Sequence, residues 1–222
     1  MARAVLPKGE RTRQRIIQTA LRLVSKHGFS ETSFQMIADR LALSQSAVLY
    51  HFGSKNALFE EIIKAIVQHN HETVSALIQM TDDAGQRLVK HCLGNVLWAL
   101  RYRADGPVLI LLYSLSCFDG KFTALFTQMM QRGRERLMVH LLAGRREGLF
   151  RLKVEPAMAA EILQDALFGA MLYAISAPEG SVDPGRLEGK WRRVVAAHTG
   201  WADPRPVPVV LPPTPASGRV SG

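Results

Sequence analysis

Two cysteines in 222 residues, Cys92 and Cys117, are too few and too isolated for a disulfide framework or a thiolate zinc site. Buried free thiols are the expected state, and with them a reducing cytoplasm. The N-terminus has no apolar stretch of the kind a secretory signal needs. The longest apolar run, Pro107–Cys117, is too short to cross a bilayer and reads as a buried helix. No alternating pattern of useful length predicts a strand, and no segment repeats. A nucleophile elbow, a glycine-rich phosphate loop and a paired-carboxylate motif are all missing, so no enzymatic activity is expected. The histidines are poorly placed for metal. His69 and His71 point to opposite sides of a helix, His91 and Cys92 are adjacent, and His27, His140 and His198 stand alone. No metal or cofactor is expected.

What is present is an apolar, folded composition, 47% hydrophobic, with a net charge of +9. The charge is uneven. Residues 1–55 carry nine Lys and Arg, namely Arg3, Lys8, Arg11, Arg13, Arg15, Arg22, Lys26, Arg40 and Lys55, against Glu10, Glu31 and Asp39. Positive charge concentrated in the first quarter suits phosphate neutralisation.

The same quarter holds three helix starts in close order. Thr32 is a candidate N-cap, with Gln35 completing a capping box. Phe34, Ile37, Ala38 and Leu41 follow at helical spacing. After a four-residue turn, Ser44 is a second N-cap, with Val48, Leu49 and Phe52 as the apolar stripe behind it. Ser54 caps a third start. Two short capped helices around a tight turn form a helix-turn-helix, whose second helix enters the DNA major groove. Ser46, Ala47, Tyr50 and His51 occupy the arc opposite Val48 and Phe52. Small residues there allow close approach to base edges, while Gln45, Ser46, Tyr50 and His51 carry hydrogen-bonding groups.

This block resembles the N-terminal domain of TetR-type (tetracycline-repressor-like) regulators, whose pattern runs Thr-Thr-x-x-x-Ile-Ala, a small turn ending in Ser, then x-Gly-x-Leu-Tyr-x-His-Phe-x-x-Lys, then an apolar residue. Thr32, Ser33, Ile37, Ala38, Ser44, His51, Phe52, Lys55 and Leu58 stand where that pattern needs them. Ser46 replaces the frequent Gly. Leu49 replaces the usual Tyr, which touches a DNA phosphate, and the aromatic follows one residue later as Tyr50. The candidate DNA-binding set is Thr32, Ser33, Gln35, Ser44, Gln45, Ser46, Ala47, Tyr50, His51 and Lys55.

Downstream, helical patterns are expected at about 10–27 with Gly28 as the stop, 54–80 as a connecting rod, 84–103, 107–118, 121–148, 156–177 and 184–198. Asp183-Pro184 sets an N-cap before an N1 proline. With the helix-turn-helix this makes about nine helices, an all-α chain in the TetR-like arrangement. The expected domains are a DNA-binding domain at 1–60 (motif about 33–52) and a regulatory and dimerisation domain at 61–200. A Pro-rich tail at 201–222 is expected to be disordered.

The resemblance implies a regulator, a repressor more readily than an activator. A small molecule would release it from a palindromic double-stranded DNA operator. Trp98, Tyr102, Tyr113, Phe122, Phe126 and Met129 are the aromatics and methionines available to line an apolar effector pocket, although such residues are more often plain core. Small residues on the 156–177 helix, Ala166, Gly169 and Ala170, with Tyr173, are the expected homodimer face. The alternatives are a constitutive DNA-binding protein whose C-terminal half only dimerises and, further off, an enzyme with an appended helix-turn-helix.

Overall fold

The computed structural model describes residues 7–203. Among them run nine α-helices and no strand: α1 Lys8–Glu31, α2 Phe34–Leu41, α3 Gln45–Phe52, α4 Lys55–Ser75, α5 Ala84–Arg101, α6 Asp105–Ser116, α7 Gly120–Arg146, α8 Pro156–Ser176 and α9 Pro184–Thr199. The all-α expectation holds, helix for helix. The expected Pro-rich tail falls almost entirely outside the described residues.

Helix ends differ from expectation in instructive ways. Gly28 does leave the helical region, at φ 83, but another turn follows it, so α1 continues to Glu31 across a kink. The rod is shorter than expected and stops at Ser75. Asp183 caps α9 as predicted, its carboxylate accepting from the Gly185 N–H at 2.9 Å, with Pro184 in the first turn.

The chain divides into two compact units. One comprises residues up to His69 with Tyr102–Met129, the other Asn70–Arg101 with the residues from Met130 onward. Helices α4 and α7 contribute to both. In the first unit, α1 buries Ile16, Ile17, Ala20, Leu23 and Val24, and α2 and α6 pack against it. Phe29, Phe59 and Phe122 form a tight aromatic group, with ring centroids 4.9 to 5.7 Å apart, in the edge and tilted geometries such pairs favour.

In the second unit α5 is buried from Ala84 to Ala99 except at Gln86 and Arg87, and α8 and α9 pack on it. Close packing needs glycine at two points. A Cβ on Gly85 would lie 2.1 Å from the Trp201 ring, and one on Gly144 2.1 Å from Phe150. Lys90 is buried with its ammonium on both carboxylate oxygens of Asp82, at 2.7 and 2.8 Å.

Candidate nucleic-acid interface

Local chemistry builds the α2–α3 pair. Ser33, not Thr32, is the N-cap of α2; its hydroxyl accepts from the Met36 N–H at 3.2 Å. Thr32 is buried instead, its hydroxyl donating to the Gly28 carbonyl at 2.8 Å. The α1 kink draws it inward and leaves the cap to the next residue. The expected capping box is therefore absent, and the Gln35 amide donates to Asp39 at 2.6 Å.

The turn is three residues long, Ala42 to Ser44. Ala42 takes the left-handed conformation at φ 53, and no other non-glycine described residue has a positive φ. Ser44 caps α3 as expected, accepting from the Ala47 N–H at 3.1 Å, with the Ser46 hydroxyl 2.9 Å from its own. Ser54 caps α4 through the Ala57 N–H at 3.1 Å.

Helix α3 is held by two side chains, Val48 and Phe52, both buried. Leu49, expected behind them, is 47% exposed and lies outside the stripe. Tyr50 is 88% exposed, with its ring 5.7 Å from His51. Gln45 and Ser46 are exposed, and Ala47 and His51 are half-buried. The wheel drawn from sequence is thus reproduced on its polar arc.

Behind α3, Arg13 of α1 covers the Phe52 ring at 5.2 Å and pairs with Glu61 of α4. Burial pushes the Glu61 carboxyl up. Hydrogen bonds from Arg13 and Lys64, with their charges, more than offset this and hold it below its ordinary value. The pair pins two helices across the recognition element. Sequence reading missed it because its partners lie 48 positions apart.

Lys55, at the start of α4, donates to the Ser30 carbonyl at 2.7 Å and sits 4.9 Å from the Phe29 ring centre. An ammonium has three donors, so two remain for another acceptor. Along α1, Lys8, Arg11, Arg15, Arg22 and Lys26 are all exposed and fall on the side opposite the buried face.

The candidate effector residues scatter. Phe122 is part of the aromatic group with Phe29 and Phe59. Tyr113 and Phe126 touch, at 5.5 Å. Tyr102 stacks edge-on to His69 at 4.4 Å, and Met129 is half-buried. Trp98 is fully buried in the second unit. On α8, Leu163, Gln164, Leu167 and Ala174 turn inward, while Ala166 and Gly169 are exposed, Ala170 is half-buried and Tyr173 is 68% exposed. Space around Gly169 is open to 4 Å.

A short capped helix pair with a polar, exposed second helix and a basic surround defines a helix-turn-helix DNA-binding domain. Residues 16–62 match the family model for bacterial regulatory proteins, tetR family. This N-terminal stretch is therefore similar to the DNA-binding domain of the TetR-type regulators. Over 62 residues it is 42% identical to the HTH-type transcriptional regulator AcrR of Shigella flexneri, a match covering 28% of this chain and 29% of that one. The fold extends the likeness to almost the whole described chain. A putative transcriptional regulator from Saccharomonospora viridis, solved in complex with choline, superposes with a TM-score of 0.71 at 22% identity, covering 86% of this chain and 98% of that one. AibR, solved with isovaleryl coenzyme A and operator DNA, gives 0.63 at 21%, covering 86% and 99%.

Proposed function

We propose that this protein is a ligand-responsive transcriptional repressor that binds a palindromic operator as a homodimer and is released by a small molecule. The observation that carries the reading is α3 itself. Two buried residues anchor it, and it presents Gln45, Ser46 and Tyr50 to solvent within the stretch that matches the tetR family model. Gln45 and Tyr50 are assigned to base edges. Ser33, Gln35, Ser44 and His51 position the phosphate backbone, with Ala47 giving close approach. Thr32, being buried, acts by setting the entry to α2. Lys55 takes a phosphate with the donors left over from Ser30, helped by the start of α4.

The outward face of α8 is assigned to the twin subunit. This helix is long and apolar enough to cross a bilayer by length and composition, with only a third of its most apolar window buried. Its inner face packs on α5, and a second copy would cover Ala166, Gly169, Ala170 and Tyr173. We assign the protein to the cytoplasm and give it no membrane partner, catalytic role or cofactor. The regulatory part, from about residue 61 to 200, would receive the effector, and binding there would shift the dimer between two shapes.

The test is operator selection from a random DNA library, with Gln45→Ala as the probe. The variant is expected to lose preference at one or two base pairs, each worth about 1–3 kcal/mol. An unchanged preference removes Gln45 as a base reader, and selection of no sequence removes the reading. Gly169→Arg, which has room in one subunit, is expected to give a monomer by light scattering and to weaken binding to a two-half-site operator. A wild type that is monomeric at micromolar concentration overturns the dimer.

A further inference from the structure

The second unit brings together a group of basic side chains that DNA recognition does not use; His91 is buried, Arg87, Arg136 and His140 are half-buried, and Arg132 and His71 are exposed. On α5, Arg87 and His91 stand four residues apart. On α7, Arg132, Arg136 and His140 follow at four-residue steps, and α4 adds His71. Four-residue spacing sets each series on one side of its helix. The two series meet where the His91 and His140 rings lie 5.2 Å apart. His91 is 6% exposed. The Nε of Arg136 is buried without a hydrogen-bond partner.

Within this group Arg87 has an acid partner. Glu147 is taken by Arg87 and by the Ala84 N–H at 3.1 Å. Glu135 is exposed and accepts from the Gln131 amide at 3.1 Å. Of the helices packed on α5, α8 brings the neutral Gln164, bonded to the Met130 sulfur at 3.7 Å, and α9 brings Arg192, held by Glu188 and Asp203.

Burial, then the charges of His140, Arg136 and His71, hold His91 well below its ordinary pKa. Burial, then Arg87, pushes His140 down to about 4. Burial and Arg132 lower Arg136 as well. The two imidazoles are therefore held neutral, and the orphaned Nε of Arg136 is a donor that still wants an acceptor. Among the described residues no three His, Cys, Asp or Glu side chains gather as metal donors, and the arginines beside the imidazoles oppose a cation.

We propose that His91, Arg136 and His140 hold an oxyanion, a carboxylate or phosphate headgroup, and that this is the charged end of the effector. The guanidinium fork matches two oxygens of either group, and each imidazole can add one donor. Binding the anion favours imidazolium, so it takes up a proton. The binding site itself stands on the geometry of this unit, whereas its consequence at DNA rests on the repressor reading above.

Thermal melting of the full chain with sodium octanoate and with inorganic phosphate, against sodium chloride at equal ionic strength, tests it. One of the two anions is expected to raise the melting temperature saturably, and the responder tells a carboxylate carried on an apolar tail from a phosphate. Its affinity is expected to tighten by up to about tenfold per pH unit between pH 8 and 6. Arg136→Met is expected to abolish the shift, and Arg136→Lys, which keeps the charge but not the fork, to retain part of it. Circular dichroism confirms that both variants fold. A shift equal to that of chloride for both anions, or one that survives intact in Arg136→Met and His140→Asn, overturns the proposal. A mobility shift with the selected operator then separates the two claims. An anion that stabilises the protein and leaves DNA binding unchanged keeps the site and removes the effector role.

Discussion

The two compact units place their polar side chains differently. Around α2 and α3, hydroxyls cap neighbouring backbone at a sequence distance of three, as Ser33, Ser44 and Ser54 do, and apart from the buried Thr32 most of the other polar groups are exposed. In the second unit Lys90, Asp82, His91, Asn95 and Gln164 are all buried. Caps of the first kind are local, worth about 1 kcal/mol each, and leave a surface free to meet a ligand. Buried charges of the second kind are cooperative and fail badly when one partner is removed. The recognition element is thus robust to single changes, whereas the larger unit is held by polar groups that a bound molecule or a proton can disturb.

The sharpest way to break this contrast is Lys90→Met. It leaves the Asp82 carboxylate buried without its ammonium, and the expected loss is about 3–5 kcal/mol in urea unfolding. A loss below 1 kcal/mol would place the pair on the same footing as a surface contact. The double change Lys90→Met with Asp82→Leu should recover much of the loss, unless the Gln79 N–H, which Asp82 accepts at 2.6 Å, dominates.

Acid comes next. The His140 pKa is depressed in the folded state, from 6.5 to about 4. Between those values the unfolded chain binds a proton that the native state refuses. Stability is therefore full above pH 6.5 and is lost as pH falls toward 4, at up to about 1.4 kcal/mol per pH unit from this group. His140→Phe should flatten that slope in denaturation series at several pH values. An unaltered slope would mean that His140 stays neutral at no cost.

In the first unit the effects are smaller. Ser44→Ala should cost about 1 kcal/mol by thermal unfolding, a single cap's worth. A loss comparable to that of Lys90→Met would show that the recognition helix is as cooperative as the buried charges. Lys55→Ala should reduce the salt slope of DNA binding by about one unit while weakening all sequences alike. Smallest is Ala42→Gly. It relieves a left-handed alanine, but glycine costs more entropy on folding, so the net change should stay within about 1 kcal/mol. A larger gain would mark the turn as strained.

The helix-turn-helix was legible because its signals are short-range. Ser44, Val48, Phe52 and Ser54 do what spacing assigns them. The reading slipped by one residue at Thr32 and Ser33, since both are hydroxyl-bearing and only the α1 kink at Gly28 decides which one turns inward. It also misplaced Leu49, because a stripe drawn on a wheel does not show how few neighbours α3 has. The aromatic and methionine set was less readable. Phe122 belongs to the first unit's core and Trp98 to the second's, and no periodicity distinguishes a wall residue from a filler. His140 looked solitary because its partner, His91, lies on another helix nearly fifty positions away.

What the sequence by itself determined is the order and type of the helices, the capped recognition element and the concentration of positive charge near it. Each of these depends on residues within a few turns of one another, where backbone hydrogen bonding and side-chain period act directly. Only the tertiary structure decided that Arg13 pins Glu61, that Phe29, Phe59 and Phe122 share one core, and that the His91 and His140 rings meet from two different helices. Those pairings depend on which helix faces pack together, and helical period alone carries no information about a partner on another helix.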